Sequence, residues 1–499
     1  MKNIKKLLSL ISCILIISII LAGCTGNPRN AAGGNGEPVK IKMYLLGDKP
    51  QNYNEIYDKV NEIMKEKIGA YLDIEYISWA DQDKKYSLIF AANEDFDLVY
   101  SANWSYYTQQ AAKNSFLELT DELLKKNNPT SYAEIPQVAW EQAKVNGKVY
   151  MIPITGVEFG THTMGIRGDL REKYNLPPVT SLETLEDYMS AVAKNETTIT
   201  PWCALSTRSI ALMTPNEWDY AGNVGEEIMI GYKINDNSGQ IFSIVDTPEY
   251  EAYVKRMKTW FENGYWTSDV LSTANSEGIS KGRFAVQSHN ILSTGNSLNF
   301  TETANPEFKV ELCDISEGAK KLPLLYTNSG MSVHLTSKKV DKALSAVELL
   351  RNDKKLFDLT WYGIEGKHWN SVGDLEYSWL SDDLPAEDQY YAGCVWGWRN
   401  EKLWRTDVNM FGNSKETIQK WKDEDMVESM VQPFNFNSEK VKNEIAAVTN
   451  VYKQYGMPLE YGFVDPADGL KGYKEKLSQA GLDKIITEMQ NQLNEYLNK

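Results

Sequence analysis

Tryptophan and tyrosine side chains form clusters in this sequence that no secondary-structure period explains. The chain of 499 residues contains 14 Trp and 28 Tyr. Many stand beside polar residues in short runs, such as Trp79-Ala80-Asp81, Trp104-Ser105-Tyr106-Tyr107 and Trp396-Gly397-Trp398-Arg399. Aromatic residues of a buried core normally recur every 2 or 3.6 positions, and these do not. Flat aromatic faces beside hydrogen-bonding side chains predict a surface for a ligand with apolar faces and polar edges.

We predict the ligand-binding residues from these clusters and from polar residues at predicted strand ends and chain crossings. Asp48 and Glu158 are candidate acceptors of hydrogen bonds from hydroxyl groups, although each could equally be a solvated or helix-capping carboxylate. Any of the aromatic candidates could instead be a partly buried packing residue. The predicted ligand-binding set is Asp48, Trp79, Trp104, Tyr107, Glu158, Trp202, Trp218, Asn328, Trp369, Trp396 and Arg399.

Metal and cofactor chemistry lack their usual sequence marks. The histidines His162, His289, His334 and His368 are scattered, whereas zinc ligands usually recur at close spacing. The stretch DPADGLKGYKE resembles a calcium loop but lacks ligands at its third and fifth positions. The motifs GxSxG, HExxH and GxxxxGK[ST] are absent from the sequence. We therefore expect no metal, no cofactor and no catalytic residues.

Strand and helix patterns alternate over the first hundred residues. Alternating apolar residues predict strands at 39–47 and 71–79, and a short apolar run predicts a third at 96–101. Helical spacing predicts helices at 54–69 and 81–95 between them. This order implies an α/β fold with a parallel sheet and right-handed crossovers.

The predicted parallel sheet places three of the candidate residues at one edge. In such sheets, ligands bind beyond the carboxyl ends of the strands. Asp48, Trp79 and Trp104 each follow a predicted strand end. The topology therefore predicts that they lie together at a binding cleft.

The chain is too long for one ordinary hydrophobic core, so we predict two lobes. After a tight turn at Asn146-Gly147, the run Val149–Ile154 is too apolar for an exposed loop, and Pro153 disfavours a central strand. These features are typical of a chain passing from one lobe to the other. The predicted division is residues 39–154 and 328–365 in lobe 1, and residues 155–327 and 366–499, including a C-terminal helical extension, in lobe 2.

The first 24 residues have the features of a secretory signal that ends in a lipidation site. Lys2, Lys5 and Lys6 precede a short apolar run. The sequence Leu21-Ala22-Gly23-Cys24 resembles the bacterial lipobox, which predicts cleavage after residue 23 and a lipid on Cys24. The alternative is an uncleaved anchor helix, which would also place the rest of the chain outside the cell. Residues 24–38 are rich in Gly, Asn and Pro, and we expect a flexible tether there.

Charge and cysteine content exclude some classes of partner. Loss of a signal with three lysines and no acidic residue would change the formal net charge from −16 to −19. An acidic protein is unsuited to nucleic acid, whose binding depends on Lys and Arg at the phosphates. Beyond the signal and Cys24, only Cys203, Cys313 and Cys394 remain. At most one disulfide is possible, and buried thiols are the favoured interpretation.

Several motifs in a fixed order resemble a known family. They are GKVYMIP (147–153), GIRGDLREKYNLPP (165–178), FENGYWTSDV (261–270), SKGRFAVQ (280–287) and TNSGMSVHLTSKKVDKALSAVELL (327–350). With the lipobox, this order resembles the family 1 extracellular solute-binding proteins of ABC importers. The stretches at 361–369 and 441–470 resemble a lipoprotein branch of that family with an extra C-terminal helical domain of unassigned role. Gly168 departs from the family pattern, which usually has Asn there.

The resemblance implies a two-lobed periplasmic-binding-protein-like (type II) fold, with a hinge and additional C-terminal helices. It also implies a non-enzyme that captures a carbohydrate, and we expect an oligosaccharide. The implied partners are the permease subunits of an ABC transporter and, through the lipid anchor, the outer face of the cell membrane; we expect a monomer. The main alternative is a lipid-anchored glycoside hydrolase, which needs only two carboxylates about 5 to 9.5 Å apart. A receptor for peptides or phospho-sugars, with a charged cleft, is a further alternative.

Overall fold

The computed structural model describes residues 37–203, 218–270 and 278–498. Contacts divide the chain into a unit Met1–Pro38 and a unit Val39–Lys499. The predicted signal, its cleavage site and Cys24 lie outside the described residues. Within the described residues, we find no helix that combines the length and apolarity needed to cross a membrane.

The unit Val39–Lys499 combines β-sheets with many helices. In chain order, the strands β1 to β17 are Val39–Leu46, Ala70–Ile77, Leu98–Ser101, Lys144–Val145, Lys148–Val149, Ile152–Pro153, His162–Ile166, Thr200–Trp202, Trp218–Tyr220, Ile230–Lys233, Ile241–Ser243, Phe284–Asn290, Glu311–Cys313, Gly330–Val333, Trp369–Ser371, Glu376–Trp379 and Thr406–Asp407. The α-helices α1 to α17 are Tyr53–Ile68, Gln82–Ala91, Tyr107–Ala112, Asp121–Asn127, Pro129–Glu134, Gln137–Gln142, Gly168–Lys173, Leu182–Asn195, Pro248–Glu262, Ile291–Ala304, Val340–Asn352, Lys354–Tyr362, Ser414–Lys420, Lys442–Val451, Met457–Glu460, Pro466–Ala480 and Leu482–Leu497.

The first sheet has the strand order β2-β1-β3-β14-β6. Strand β1 pairs in parallel with both β2 and β3, as the alternation of strands and helices predicted. Strand β14 pairs antiparallel with β3 and with β6, so the returning chain completes a mixed sheet. Helices α1 and α11 pack on this sheet, and the apolar side chains between them form the first core.

The second sheet has the order β13-β7-β12-β8, and a three-stranded sheet β11-β10-β9 lies beside its core. Buried side chains from helices α8 and α9 and from this sheet form the second core. The C-terminal helices α14, α16 and α17 add their apolar faces to the same core. The C-terminal helices are therefore packed into the core of the second sheet.

The chain passes between the two cores more than once. Ile152 belongs to the first core, whereas Phe159 and Ile315 lie with the second sheet and Met331 is again in the first core. The first and second crossings run side by side, because Ile154 N donates to Tyr326 O at 3.2 Å. A third crossing follows Trp398, and the chain returns to the second sheet by Phe411. The predicted two-lobed α/β architecture is confirmed.

One predicted part of lobe 2 packs elsewhere. Trp369, Tyr390 and Trp398, which we assigned to lobe 2, are buried in the first core. Hydrogen bonds hold this segment there, including Trp398 Nε1 to Thr360 Oγ1 at 3.1 Å. The local pattern at 366–398 does not indicate this packing, because the contacts are made with segments distant in the sequence.

Two local predictions can be compared with the backbone. Asn146 and Gly147 both have positive φ angles, of 51° and 78°, in the tight turn between β4 and β5. Gly168 opens α7 against the backbone carbonyl of Lys309, and a Cβ atom at this position would clash with that oxygen. The departure from the family pattern is thus accommodated by close backbone packing.

The three cysteines beyond Cys24 are buried, as the sequence favoured. Cys313 and Cys394 are buried free thiols, and Cys203 is also buried.

Candidate functional site

Three half-exposed tryptophans form one contiguous surface, which we call the tryptophan row. Trp79, Trp104 and Trp396 are 47%, 45% and 41% exposed. The ring of Trp79 lies 6.1 Å from that of Trp396 at an interplanar angle of 26°, and 6.2 Å from that of Trp104 at 32°. Adjacent exposed apolar rings are a feature that binding surfaces share, whereas apolar residues exposed singly are common on any soluble protein. The row therefore offers several flat apolar faces to a ligand.

Trp79 is placed by the ends of two parallel strands. It opens a 3-10 helix, Trp79–Asp81, two residues after β2. Its indole packs over Gly47, which follows β1 with a φ of 95°. A Cβ atom at residue 47 would lie 3.3 Å from Trp79 Nε1. Glycine is thus needed at this turn, both for its backbone conformation and for the approach of the ring.

Trp104 is held by the second crossing. Its Nε1 donates a hydrogen bond to the backbone oxygen of Asn328 at 2.8 Å. The preceding residue, Asn103, donates its backbone N–H to Thr327 O at 2.9 Å. The loop after β3 is therefore fixed to the segment that leads into β14, which fixes the orientation of the indole.

Trp396 lies on a 3-10 helix, Val395–Trp398, at the same edge of the sheet. Cys394 N donates to Leu46 O at the end of β1, at 3.2 Å. The sequence cluster WGWR predicted that Trp396 binds ligand. The position of Trp396 beside the strand ends could not be predicted from topology, because this segment is distant in the sequence from β1, β2 and β3.

Tyr100 supports the row and was missed by the sequence analysis. Its buried ring lies 6.0 Å from that of Trp104 and 6.5 Å from that of Trp396. Its hydroxyl is 2.9 Å from Ser329 Oγ, and burial raises its pKa well above the usual value. Because β3 reads as an ordinary apolar strand, nothing in the local sequence distinguishes Tyr100 from a core residue.

Carboxylate groups stand near the row in the sequence. Asp48 is exposed and immediately follows Gly47. Asp81 accepts a hydrogen bond from Ser78 Oγ at 3.1 Å and pairs with Lys85 at 2.8 Å, and the pKa of Asp81 is lowered chiefly by Lys85. A carboxylate that is ionised and exposed can accept hydrogen bonds from hydroxyl groups.

Glu158 and Arg399, two further predicted residues, form an ion pair with each other. The Arg399 side chain is only 3% exposed and lies over the ring of Trp404 at 4.0 Å. Burial lowers the pKa of Arg399 to about 10. The pair joins the first crossing to the segment after Trp396. In this structure its role is to fix that junction, and Arg399 presents little surface to a ligand.

Four predicted aromatic residues are packing residues in this structure. Each is at most 4% exposed, so none offers a face to a ligand; they are Tyr107, Trp202, Trp218 and Trp369. Trp202, for example, packs 5.4 Å from the ring of Trp260 in the second core. We therefore remove these four from the candidate site. Their irregular spacing in the sequence reflects short strands and turns, where a core residue has no long period to follow.

Two histidines that we described as scattered come together beside the first crossing. His162 begins β7 and His289 lies near the end of β12, with ring centroids 5.8 Å apart and an interplanar angle of 13°. Burial, and secondarily His289, lowers the pKa of His162 to about 4, and burial also lowers the pKa of His289. A neutral imidazole has one hydrogen-bond donor and one acceptor, so each ring of this pair can both donate and accept.

Across the described ranges, no cluster of three or more metal-ligating side chains could hold a metal ion.

Comparisons with known proteins extend over the whole chain. Residues 430–498 match a domain of unknown function, DUF3502. The chain is 28% identical to a carbohydrate ABC transporter substrate-binding protein of Streptococcus pneumoniae, over 100% of this chain and 99% of that protein. DUF3502 is the C-terminal domain found in this family.

Solved structures give the same result. The N-glycan transport solute binding protein NgtS of Streptococcus pneumoniae is 26% identical, with a TM-score of 0.76 over 92% of this chain and 99% of that one. An extracellular solute-binding protein of Bifidobacterium longum subsp. infantis, at 15% identity, shares the fold with a TM-score of 0.64 over 93% of this chain and 100% of that one. These comparisons confirm the resemblance predicted from the sequence, to the extracellular solute-binding proteins of carbohydrate ABC transporters with a C-terminal helical domain.

Proposed function

We propose that this chain is the substrate-binding component of an ABC importer and that it captures an oligosaccharide on the tryptophan row. The observation that supports this proposal most directly is the row itself, in which Trp79 lies beside both Trp104 and Trp396 and all three residues are half exposed. Sugar rings have flat C–H faces, which stack on aromatic rings, and hydroxyl groups, which need hydrogen-bonding partners. Three adjacent indoles suit a ligand with several sugar rings.

The NgtS structures indicate which ligands to test first. NgtS has been crystallised with Man1GlcNAc and with Man5GlcNAc. We propose an oligosaccharide of this general type, bound with its rings along the row. Asp48 and Asn328 remain our candidates for polar contacts, because one follows Gly47 beneath Trp79 and the other holds the Trp104 indole through its carbonyl.

Binding is proposed to close the two lobes around the ligand. From the core residues of each part, we assign residues 39–154 and 326–404 to the first lobe, and the described residues of 159–323 and 408–498 to the second. In the described chain, these two lobes are joined covalently at the crossings, which are therefore the proposed hinge. A ligand that contacts both lobes stabilises the closed state by its differential affinity for that state.

A glycoside hydrolase is the alternative, and the electrostatics of the row do not favour it. Hydrolysis needs a carboxyl group with a raised pKa that acts as a general acid. Asp81, close to Trp79, has a lowered pKa because of Lys85. Asp219, whose pKa burial raises to about 6, is hydrogen-bonded to Tyr232 on β10 and belongs to the three-stranded sheet.

Delivery to the membrane is proposed to depend on the amino terminus. We propose that the signal is cleaved after residue 23, that Cys24 carries the lipid, and that residues 24–38 tether a monomeric receptor beside its permease. The Gly-rich composition of the tether and the lipobox-like residues support this proposal. Metabolic labelling with a radioactive fatty acid tests it, since Cys24→Ser should abolish incorporation.

The proposed function is tested with purified chain lacking residues 1–24. A glycan array should reveal binding to one or more oligosaccharides, and calorimetry with Man5GlcNAc should give a saturable heat. An assay for reducing ends over the same period should detect no product. Steady release of reducing ends would support the hydrolase instead, and a chain that binds no glycan of the array would refute the proposed function.

A further inference from the structure

A loop of the domain of unknown function reaches the part of the first lobe that carries the tryptophan row. Asn435 lies in this domain, within residues 430–498. Its Oδ1 is 3.5 Å from Thr108 Oγ1, although the flanking residue Phe434 belongs to the second core and Tyr107, beside Thr108, to the first. Thr108 is in α3, four residues after Trp104. The loop therefore approaches the short helix that directly follows the Trp104 loop.

The side chain of Asn435 is fixed with its donor group unused. Asn223 Nδ2 donates to Asn435 Oδ1 at 3.0 Å, and the same Nδ2 lies 3.4 Å from Phe434 O. Thr108 Oγ1 approaches the same Oδ1 at 3.5 Å, so the contacts of the Asn435 amide with its neighbours are made by its oxygen. Within the described ranges, Asn435 Nδ2 has no hydrogen-bonding partner, and the residue is partly exposed. An amide held by its oxygen presents its two N–H donors in a defined direction.

The end of the C-terminal helix also lies towards the first lobe. The Glu141 carboxylate on α6 raises the pKa of the Tyr496 phenol near the end of α17, after the larger effect of burial. This placement agrees with the approach of Asn435 to α3.

We infer that the domain of unknown function forms one end of the carbohydrate site, where Asn435 Nδ2 donates a hydrogen bond to a hydroxyl of the sugar stacked near Trp104. The inference rests on the proposed function, because it needs a ligand on the tryptophan row. It gives the domain of unknown function a role in ligand binding, because its loop adds a hydrogen-bond donor from the second lobe to the site that begins at the tryptophan row.

Two substitutions at one position test the inference. Asn435→Asp retains an oxygen for Asn223 and Thr108 but removes both N–H donors, whereas Asn435→Ala removes the oxygen and the N–H donors together. Both variants should bind Man5GlcNAc about 2-fold to 10-fold more weakly than wild type by calorimetry, as expected for one lost hydrogen bond. Asn443→Ala, an exposed asparagine on α14 of the same domain, is the matched control and should bind as wild type.

The outcomes separate the inference from the proposed function. If Trp104→Ala weakens binding while Asn435→Asp and Asn435→Ala bind like wild type, the row binds carbohydrate and the role of the domain is refuted. If only Asn435→Ala is impaired, Asn435 acts through its oxygen as a structural contact, and donation to the ligand is refuted. A wild-type chain that binds neither Man5GlcNAc nor any glycan of the array fails the proposed function itself. Thermal unfolding of each variant establishes that it is folded.

Discussion

Replacement of Trp104 by alanine is the most informative single change to the tryptophan row. The residue is 45% exposed, and its ring centroid lies 6.2 Å from that of Trp79 and 6.0 Å from that of Tyr100. Its Nε1 also donates to the backbone oxygen of Asn328 at 2.8 Å. The substitution therefore removes one stacking face for the ligand and one link to the second crossing.

The two losses affect different free energies. Loss of a stacking ring costs about 1–3 kcal/mol of binding free energy by analogy with nucleic-acid bases, or about 5-fold to 150-fold in Kd. The free energy of unfolding should fall by a similar amount, about 1–4 kcal/mol, because the ring contributes one hydrogen bond and two tilted ring contacts. The two effects are therefore measured separately, since a variant that is folded at the assay temperature reports the loss of affinity alone.

Calorimetry with an oligosaccharide that binds wild type measures the first effect, and urea unfolding measures the second. Trp104→Phe keeps an aromatic face without the Nε1 donor and should fall between wild type and Trp104→Ala. Phe300→Ala removes an aromatic ring that is 65% exposed on α10 and is the control, with no expected change in Kd. An unchanged Kd for Trp104→Ala would refute the assignment of the row to the ligand.

Three further changes test the supporting structure. Gly47→Ala should lower the free energy of unfolding by about 1–2 kcal/mol and weaken binding, because φ is 95° and the new Cβ approaches the Trp79 indole; its control, Gly472→Ala in the middle of α16, meets no atom within 4 Å and should be stabilising. Glu158→Gln should cost about 1–3 kcal/mol in urea unfolding, because it removes the carboxylate that pairs directly with the buried Arg399 guanidinium. His162 has a pKa of about 4 in the folded state against an ordinary value of 6.5, so the unfolded state binds the proton first and stability should fall as the pH drops from 6.5 towards 4; His162→Gln should lose less Tm over that range, and equal losses would contradict the prediction.

The parts of the site that follow from local sequence were predictable. Strand periodicity predicted β1, β2 and β3 to within a few residues, and the alternation with helices predicted that these strands are parallel. Parallel strands end at the same edge of a sheet, so Trp79 and Trp104 were predicted at one edge. Those rings do lie side by side, at 6.2 Å. Topology was informative here because each residue directly follows a strand end, so its position depends on a few neighbouring residues only.

The remaining parts depend on contacts between distant segments. Trp202 and Trp369 looked like loop aromatics but are buried, because short strands give core residues no visible period. The stacking of His162 on His289 depends on the pairing of β7 with β12, and a single sequence does not specify that pairing. The contact of Asn435 with α3 is of the same kind, since the residues are 327 positions apart.

A crystal structure of the chain with a bound oligosaccharide tests the central claim most directly. We expect sugar rings stacked on Trp79 and at least one of its two neighbours in the row, with polar contacts from both lobes. A ligand bound away from these indoles, or held by one lobe alone, would contradict capture by closure on the tryptophan row.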